Sequence, residues 1–275
     1  MLVLALSLGL ASGAGRIVTH LGHPPLVTQL TQGALMLLLV VAAVSLLRRR
    51  VDRRPIHTLG LSGHRVQGLM LGIGVALATG AVTWFSAIAL GAANVRSVDL
   101  VVLGEFLMLN TLLLTCFEAI PEELALRGYA WTNLGDGLGE RWASAITTAL
   151  FVVGALLAPP VSDWVARLAG APAAPPRGDL VVYVVHLVLF GFALAAARRT
   201  GPDGLLAAIG FHLGQLTVTR LVMGGLDWLP AGVEVDLTSP EAAILVWVHI
   251  VLGWAAFLFI RQRRGRSSRL EVVIT

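Results

Sequence analysis

Apolar residues run along this chain in long blocks separated by short polar stretches. The blocks cover residues 2–14, 30–47, 66–93, 98–116, 142–157, 180–197, 205–223 and 242–260. A bilayer core asks for about 20 apolar residues per helix, so this pattern predicts about eight transmembrane helices, the first of them short. The expected fold class is all-α, a polytopic membrane helical bundle. Small residues at Ala11-Ser12-Gly13-Ala14 would suit a signal-peptide cleavage site, but no lysine or arginine precedes the first block, which weighs against one. Pro159-Pro160 is expected to stop the fifth block and to open a Pro/Ala-rich loop reaching Asp179, and residues 57–61 read as a short re-entry segment. No fixed-period repeat or soluble domain stands out. Residues 1–275 therefore read as a single integral membrane domain that ends in a basic tail, 261–275.

Composition agrees with the pattern. With 56% hydrophobic and 13% charged residues, and a mean hydropathy of +0.82, the chain lies outside the range of a soluble domain. The formal charge of +4 comes from arginine alone, clustered at the ends of apolar blocks: Arg48-Arg49-Arg50 with Arg53-Arg54, Arg198-Arg199, and the tail from Arg261 to Arg269. Placing the N- and C-termini in the cytoplasm puts all three clusters inside, and the acidic loop 224–241 outside, as the positive-inside rule asks. That placement predicts a multi-pass protein of the cell membrane whose first partner is the lipid bilayer, and it argues against nucleic-acid binding. A single cysteine, Cys116, excludes an internal disulfide and a cysteine metal cage.

Candidate chemistry concentrates in Ile120-Pro121-Glu122-Glu123-Leu124-Ala125-Leu126-Arg127-Gly128. Charge is costly in such surroundings and must be paired, wet or useful. Pro121 suits the first turn of a new helix, and carboxylates behind it complement the helix dipole. In that helix Glu123 and Arg127 stand four apart with the acid first, the favourable order for an ion pair. Glu122 points about 100° away and stays available as a general base. The same spacing also describes the ordinary start of a surface helix with Arg127 as a solvated partner, and local geometry alone leaves both readings open.

Glu122-Glu123-x-x-x-Arg127-Gly128 resembles the first signature of the CPBP family, the intramembrane proteases that include the type II CAAX prenyl endopeptidases and the Abi proteins of bacteria. The resemblance continues through Phe190-Gly191-Phe192-Ala193-Leu194, Arg199-Thr200-Gly201 and the stretch from Leu205 to His212, giving a family-like core of about 118–223. It implies a bacterial membrane endopeptidase acting on a membrane-associated peptide or protein. In that likeness Glu122 activates water, Glu123 with Arg127 forms the structural pair, and His212 stabilises the oxyanion. Two positions depart from the family pattern. The second motif expects a histidine four residues after a phenylalanine, and Phe151 is followed by Ala155. The third expects asparagine four after His212, where Leu216 stands. Gln215 is a candidate stand-in for the asparagine, and His186 for the missing histidine. Of the family's metal-ligand set only Glu122 and His212 remain, too few for zinc, so neither a catalytic metal nor a cofactor is expected. The alternative reading is a non-catalytic relative, a binding, immunity or regulatory protein of the same fold.

Overall fold

The computed structural model describes residues 2–61, 65–174, 178–239 and 244–274. Parts of the loop that reaches Asp179, the end of the acidic loop 224–241 and the first residues of the 242–260 block lie outside these, as do the side chains of Arg266 and Arg269. In chain order the elements are α1 (Leu2–His20), α2 (Pro25–Leu46) with a π turn (Leu47–Val51), a 3-10 turn (Ile56–Leu59), α3 (Arg65–Ala89), β1 (Ala93–Val98) and α4 (Leu100–Leu114). A π turn (Thr115–Ala119), the short α5 (Ile120–Glu123) and a second π turn (Leu124–Ala130) lead into α6 (Trp131–Leu168). The chain then forms α7 (Leu180–Arg198), α8 (Gly204–Val222), β2 (Gly225–Leu226), β3 (Leu229–Pro230), β4 (Val233–Leu237) and α9 (Leu245–Ile274).

Seven helical runs among the described residues are long and apolar enough to cross a membrane. One of them, Leu100–Leu168, has 69 residues, far more than one crossing needs. Gly139, at φ 79° and ψ 163°, breaks it, so the run supplies two crossings and the total returns to about eight. The architecture is an all-α polytopic one. Among the described residues there are two sheets of two strands each: β1 pairs antiparallel with β4, and β2 with β3.

Contacts divide the chain into two compact units, residues 1–59 with 109–191, and residues 60–108 with 192–275. In the first, α1 packs on the second arm of α6 through two glycines. A methyl group on Gly9 would lie 2.5 Å from Val161 Cβ, and one on Gly13 2.6 Å from Val165 Cβ, so only glycine allows this approach. The pairing of 9 with 161 and 13 with 165 makes the two helices parallel. Pro159 and Pro160 do not stop α6, contrary to the sequence expectation; the helix continues to Leu168. Val161 and Val165 pack half-buried against α1, and in an apolar setting such packing holds a helix past the bonds its prolines remove.

In the second unit α3 and α8 form a similar seam. A Cβ on Gly72 would sit 2.1 Å from the Ala207 carbonyl oxygen, and one on Gly210 2.2 Å from that of Leu69. Phe211 packs edge-on against Phe257 of α9, ring centroids 5.2 Å apart. Asp99 caps α4, accepting the backbone N–H of Val101 at 2.9 Å and of Val102 at 3.1 Å.

Candidate active site

Pro121 does not open a new helix. Ala119 before it is helical (φ −63°, ψ −50°), and Leu124 after it is too (φ −63°, ψ −43°), so the backbone runs straight through. A proline inside a helix lacks one N–H and strikes the carbonyl one turn back. Here the preceding turn is widened: Ile120 N–H donates to Thr115 O, five residues back, which gives the ring room. A second π turn, over Leu124–Ala130, follows at once.

Within this irregular helix the two glutamates separate as their spacing requires. Glu123 and Arg127 are both fully buried, and Arg127 Nη1 donates to Glu123 Oε1 at 3.3 Å. Arg127 Nη2 donates to the Gly191 carbonyl of α7 at 3.1 Å. The guanidinium also lies over the Phe151 ring, 5.1 Å from its centroid. Phe151 in turn meets Phe190 at 6.4 Å, and Phe190 meets His186 at 6.0 Å. Of the auxiliary candidates, Phe151 thus lies against the ion pair, while His186 stands at the far end of an aromatic chain.

Glu122 faces a different space. It lines a cavity of about 560 Å³ within its own unit, together with Phe117 and Glu118 from the preceding π turn, Ser162 of α6 and Tyr183 of α7. The volume falls in the usual range of ligand pockets, about 300–1,000 Å³. Among the described residues the lining contains no histidine, His186 included. Ala155 sits one turn before the cavity-lining Ala158 and Pro159 on α6, so the second-motif position belongs to the helix face that borders the cavity.

In the second unit, His212 and Gln215 are buried on α8. Gln215 Nε2 donates to Thr219 Oγ1 at 3.0 Å, which leaves its second N–H, and no described residue donates to its Oε1. Leu216 is half-buried on the same helix. His249 is a core histidine, its Nε2 2.9 Å from the Ala76 carbonyl oxygen. A larger hollow of about 660 Å³ borders β4, but Glu234 there already accepts from Ser97 at 2.8 Å and Asp236 pairs with Arg96, so it presents no comparable chemistry.

Sequence reasoning missed a polar brace beside the site. Arg48, read only as a topological charge, is fully buried. It donates to Asp52 at 3.0 Å, Asn133 at 2.8 Å and Thr58 at 2.7 Å. Asp52 also accepts from Tyr129 at 3.2 Å and from Asn133 at 3.1 Å. Burial pushes the Asp52 carboxyl up, but the hydrogen bonds from Asn133, Arg48 and Tyr129 outweigh it and hold the group below the ordinary aspartate value. Tyr129 lies two residues beyond Arg127, so the brace anchors the π turn that carries the ion pair. The four-residue spacing of Arg48 and Asp52 was the available signal. Within either unit, no three His, Cys, Asp or Glu side chains among the described residues converge as metal ligands would.

The chain matches no curated protein and no solved structure. A family model does match: type II CAAX prenyl endopeptidase, Rce1-like, over residues 104–216. That segment contains the π turns Thr115–Ala119 and Leu124–Ala130, the Glu123–Arg127 pair, Glu122 and its share of the cavity, and His212. Over that segment the chain, with its membrane-spanning helices, is similar to the CPBP family, which includes the CAAX-protease-like intramembrane endopeptidases.

Proposed function

We propose that the chain hydrolyses a peptide bond of a membrane-associated substrate, with Glu122 as the base. The observation that carries this reading is the division of labour on one helix. Glu123 and Arg127 neutralise each other in the interior, whereas Glu122 borders a cavity of ligand size. Glu122 takes a proton from water, the hydroxide adds to the scissile carbonyl, and the proton passes to the departing amine. The family likeness assigns the oxyanion to His212, and a Gln215 N–H stands in for the asparagine that Leu216 replaces. The arginine clusters support cytoplasmic termini in a bacterial cell membrane. The test is cleavage of a membrane-anchored peptide by the full chain in lipid vesicles. Glu122→Gln abolishes turnover on this reading, and turnover equal to wild type dismisses Glu122 as the base.

One observation favours a non-catalytic binding or regulatory role: among the described residues no histidine lines the cavity, and Ala155 and Leu216 replace two polar signature residues. Loss of such a partner costs a base about 10²–10⁴-fold in rate. If this second reading holds, the wild type is inert and only Ala155→His with Leu216→Asn gains proteolysis. Robust wild-type activity rejects it.

A further inference from the structure

Helix α1 lies entirely outside the segment that matches the family, yet it builds one wall of the Glu122 cavity. Leu8, Ser12 and Arg16 all line it. These residues stand four apart, so they form one face of α1 about 12 Å long. Gly9 and Gly13, the residues next to Leu8 and Ser12, hold α1 against Val161 and Val165, which fixes the wall in place. At one end Arg16 closes the wall: its guanidinium bonds Asp163 and the Pro172 carbonyl, and Asp163 also accepts the Ala174 N–H at 3.2 Å. The charges there are spent on each other. Around the remaining space stand Ser12 and Leu8 of α1, with Phe117, Ala158, Ser162 and Tyr183 from the other elements.

We infer that α1 determines which side chain the substrate presents beside the scissile bond, with Ser12 setting the size limit. This rests on the reading of Glu122 as the catalytic base. The occupant that fits is a short extended stretch of a membrane peptide. The space is too small for a folded partner; apart from the Arg16–Asp163 ion pair, its lining combines apolar side chains and hydroxyls with the carboxylates of Glu118 and Glu122. An uncharged aliphatic or aromatic side chain enters against Ser12.

Two measurements test the inference on the full chain in vesicles of phosphatidylethanolamine and phosphatidylglycerol. The first compares peptides that carry Ala, Val, Leu or Phe next to the cleaved bond. Ser12→Leu is expected to lower kcat/KM for the Phe peptide at least about tenfold relative to the Ala peptide, mainly through KM, the scale on which a pocket discriminates by a few methylenes. An unchanged preference overturns the inference. The second places a photo-crosslinking amino acid at Ser12, or at Leu10 on the exposed side of the helix, in the Glu122→Gln background. Capture of the Phe peptide at 12 and not at 10 is expected. Capture at neither position, or equally at both, overturns it whether or not Ser12→Leu folds. The two readings fail separately: capture at 12 with Glu122→Gln still active removes only the catalytic base, whereas loss of activity in Glu122→Gln without capture at 12 removes only the role of α1.

Discussion

Removing one member of the buried ion pair should cost far more than removing both. In Glu123→Gln the Arg127 guanidinium keeps its charge at zero exposure and loses the carboxylate that Nη1 meets at 3.3 Å. Breaking a buried pair from one side costs about 3–5 kcal/mol. Arg127→Met breaks it from the other side. It also takes the donor from the Gly191 carbonyl and the cation from the face of Phe151, so it falls at the upper end of that range or beyond. Glu123→Leu with Arg127→Met strands no charge. Replacing a buried pair with apolar side chains is neutral or stabilising in itself, and the remaining loss is the Gly191 carbonyl, about 1–3 kcal/mol. The double variant should therefore be more stable than either single one, with a coupling energy of several kcal/mol. The measurement is reversible unfolding of the purified protein in mixed micelles, read as a double-mutant cycle. If the double variant loses the sum of the two single losses, or if Glu123→Gln loses less than about 1 kcal/mol, the pair is not the structural element described here.

Other outcomes follow from single positions. Gly72→Ala forces a methyl group to within 2.1 Å of the Ala207 carbonyl oxygen and should cost about 1–3 kcal/mol in the same unfolding assay, whereas Gly74→Ala, with nothing within 4 Å, should be neutral or slightly stabilising. Asp52 has a folded pKa below its ordinary 3.8, so its contribution is present in full above that value and is lost as pH falls through the folded pKa. Stability measured against pH should show this loss in the wild type below about pH 4, and Asp52→Asn should lack it. Pro121→Ala restores an N–H that can bond in a regular turn. It should raise stability while lowering turnover at least tenfold if the widened register aims Glu122 at the cavity, and turnover equal to wild type would separate the π turn from activity.

Block hydropathy made the membrane architecture legible, since length and apolarity are all that a bilayer crossing requires. The Glu123–Arg127 pair was legible because it is local, four residues apart on one helix. Three features were not. The continuous helix through Pro121 depends on a turn of five residues that widens before the proline, and a proline by itself reads as a start. The continuation of α6 past Pro159-Pro160 depends on packing against Gly9 and Gly13, some 150 residues earlier in the chain. The β1–β4 pair joins Ala93–Val98 to Val233–Leu237, and each strand was absorbed into the edge of a neighbouring block or loop. Its signal was present in the alternation of Val233, Glu234, Val235, Asp236 and Leu237.

The positions that match the family and those that depart from it divide along a physical line. Phe151 stays, and it has a structural duty: it covers the Arg127 guanidinium and packs on Phe190. Gly191 stays, and it too has one. Its carbonyl takes the second Arg127 donor, and a side chain there would press within 2.7 Å of Thr148. Glu123 and Arg127 depend on each other. All of these follow from the need to hold one charge pair in an apolar interior, so folding alone preserves them. Ala155 lies one turn after Phe151, on the face that borders the cavity, away from the ion pair that Phe151 covers. Glu122 stands apart from the Glu123–Arg127 hydrogen bond and borders the cavity. A carboxylate is costly to keep in such surroundings, and on the proposed reading that cost is offset by a catalytic or ligand-binding duty for the cavity.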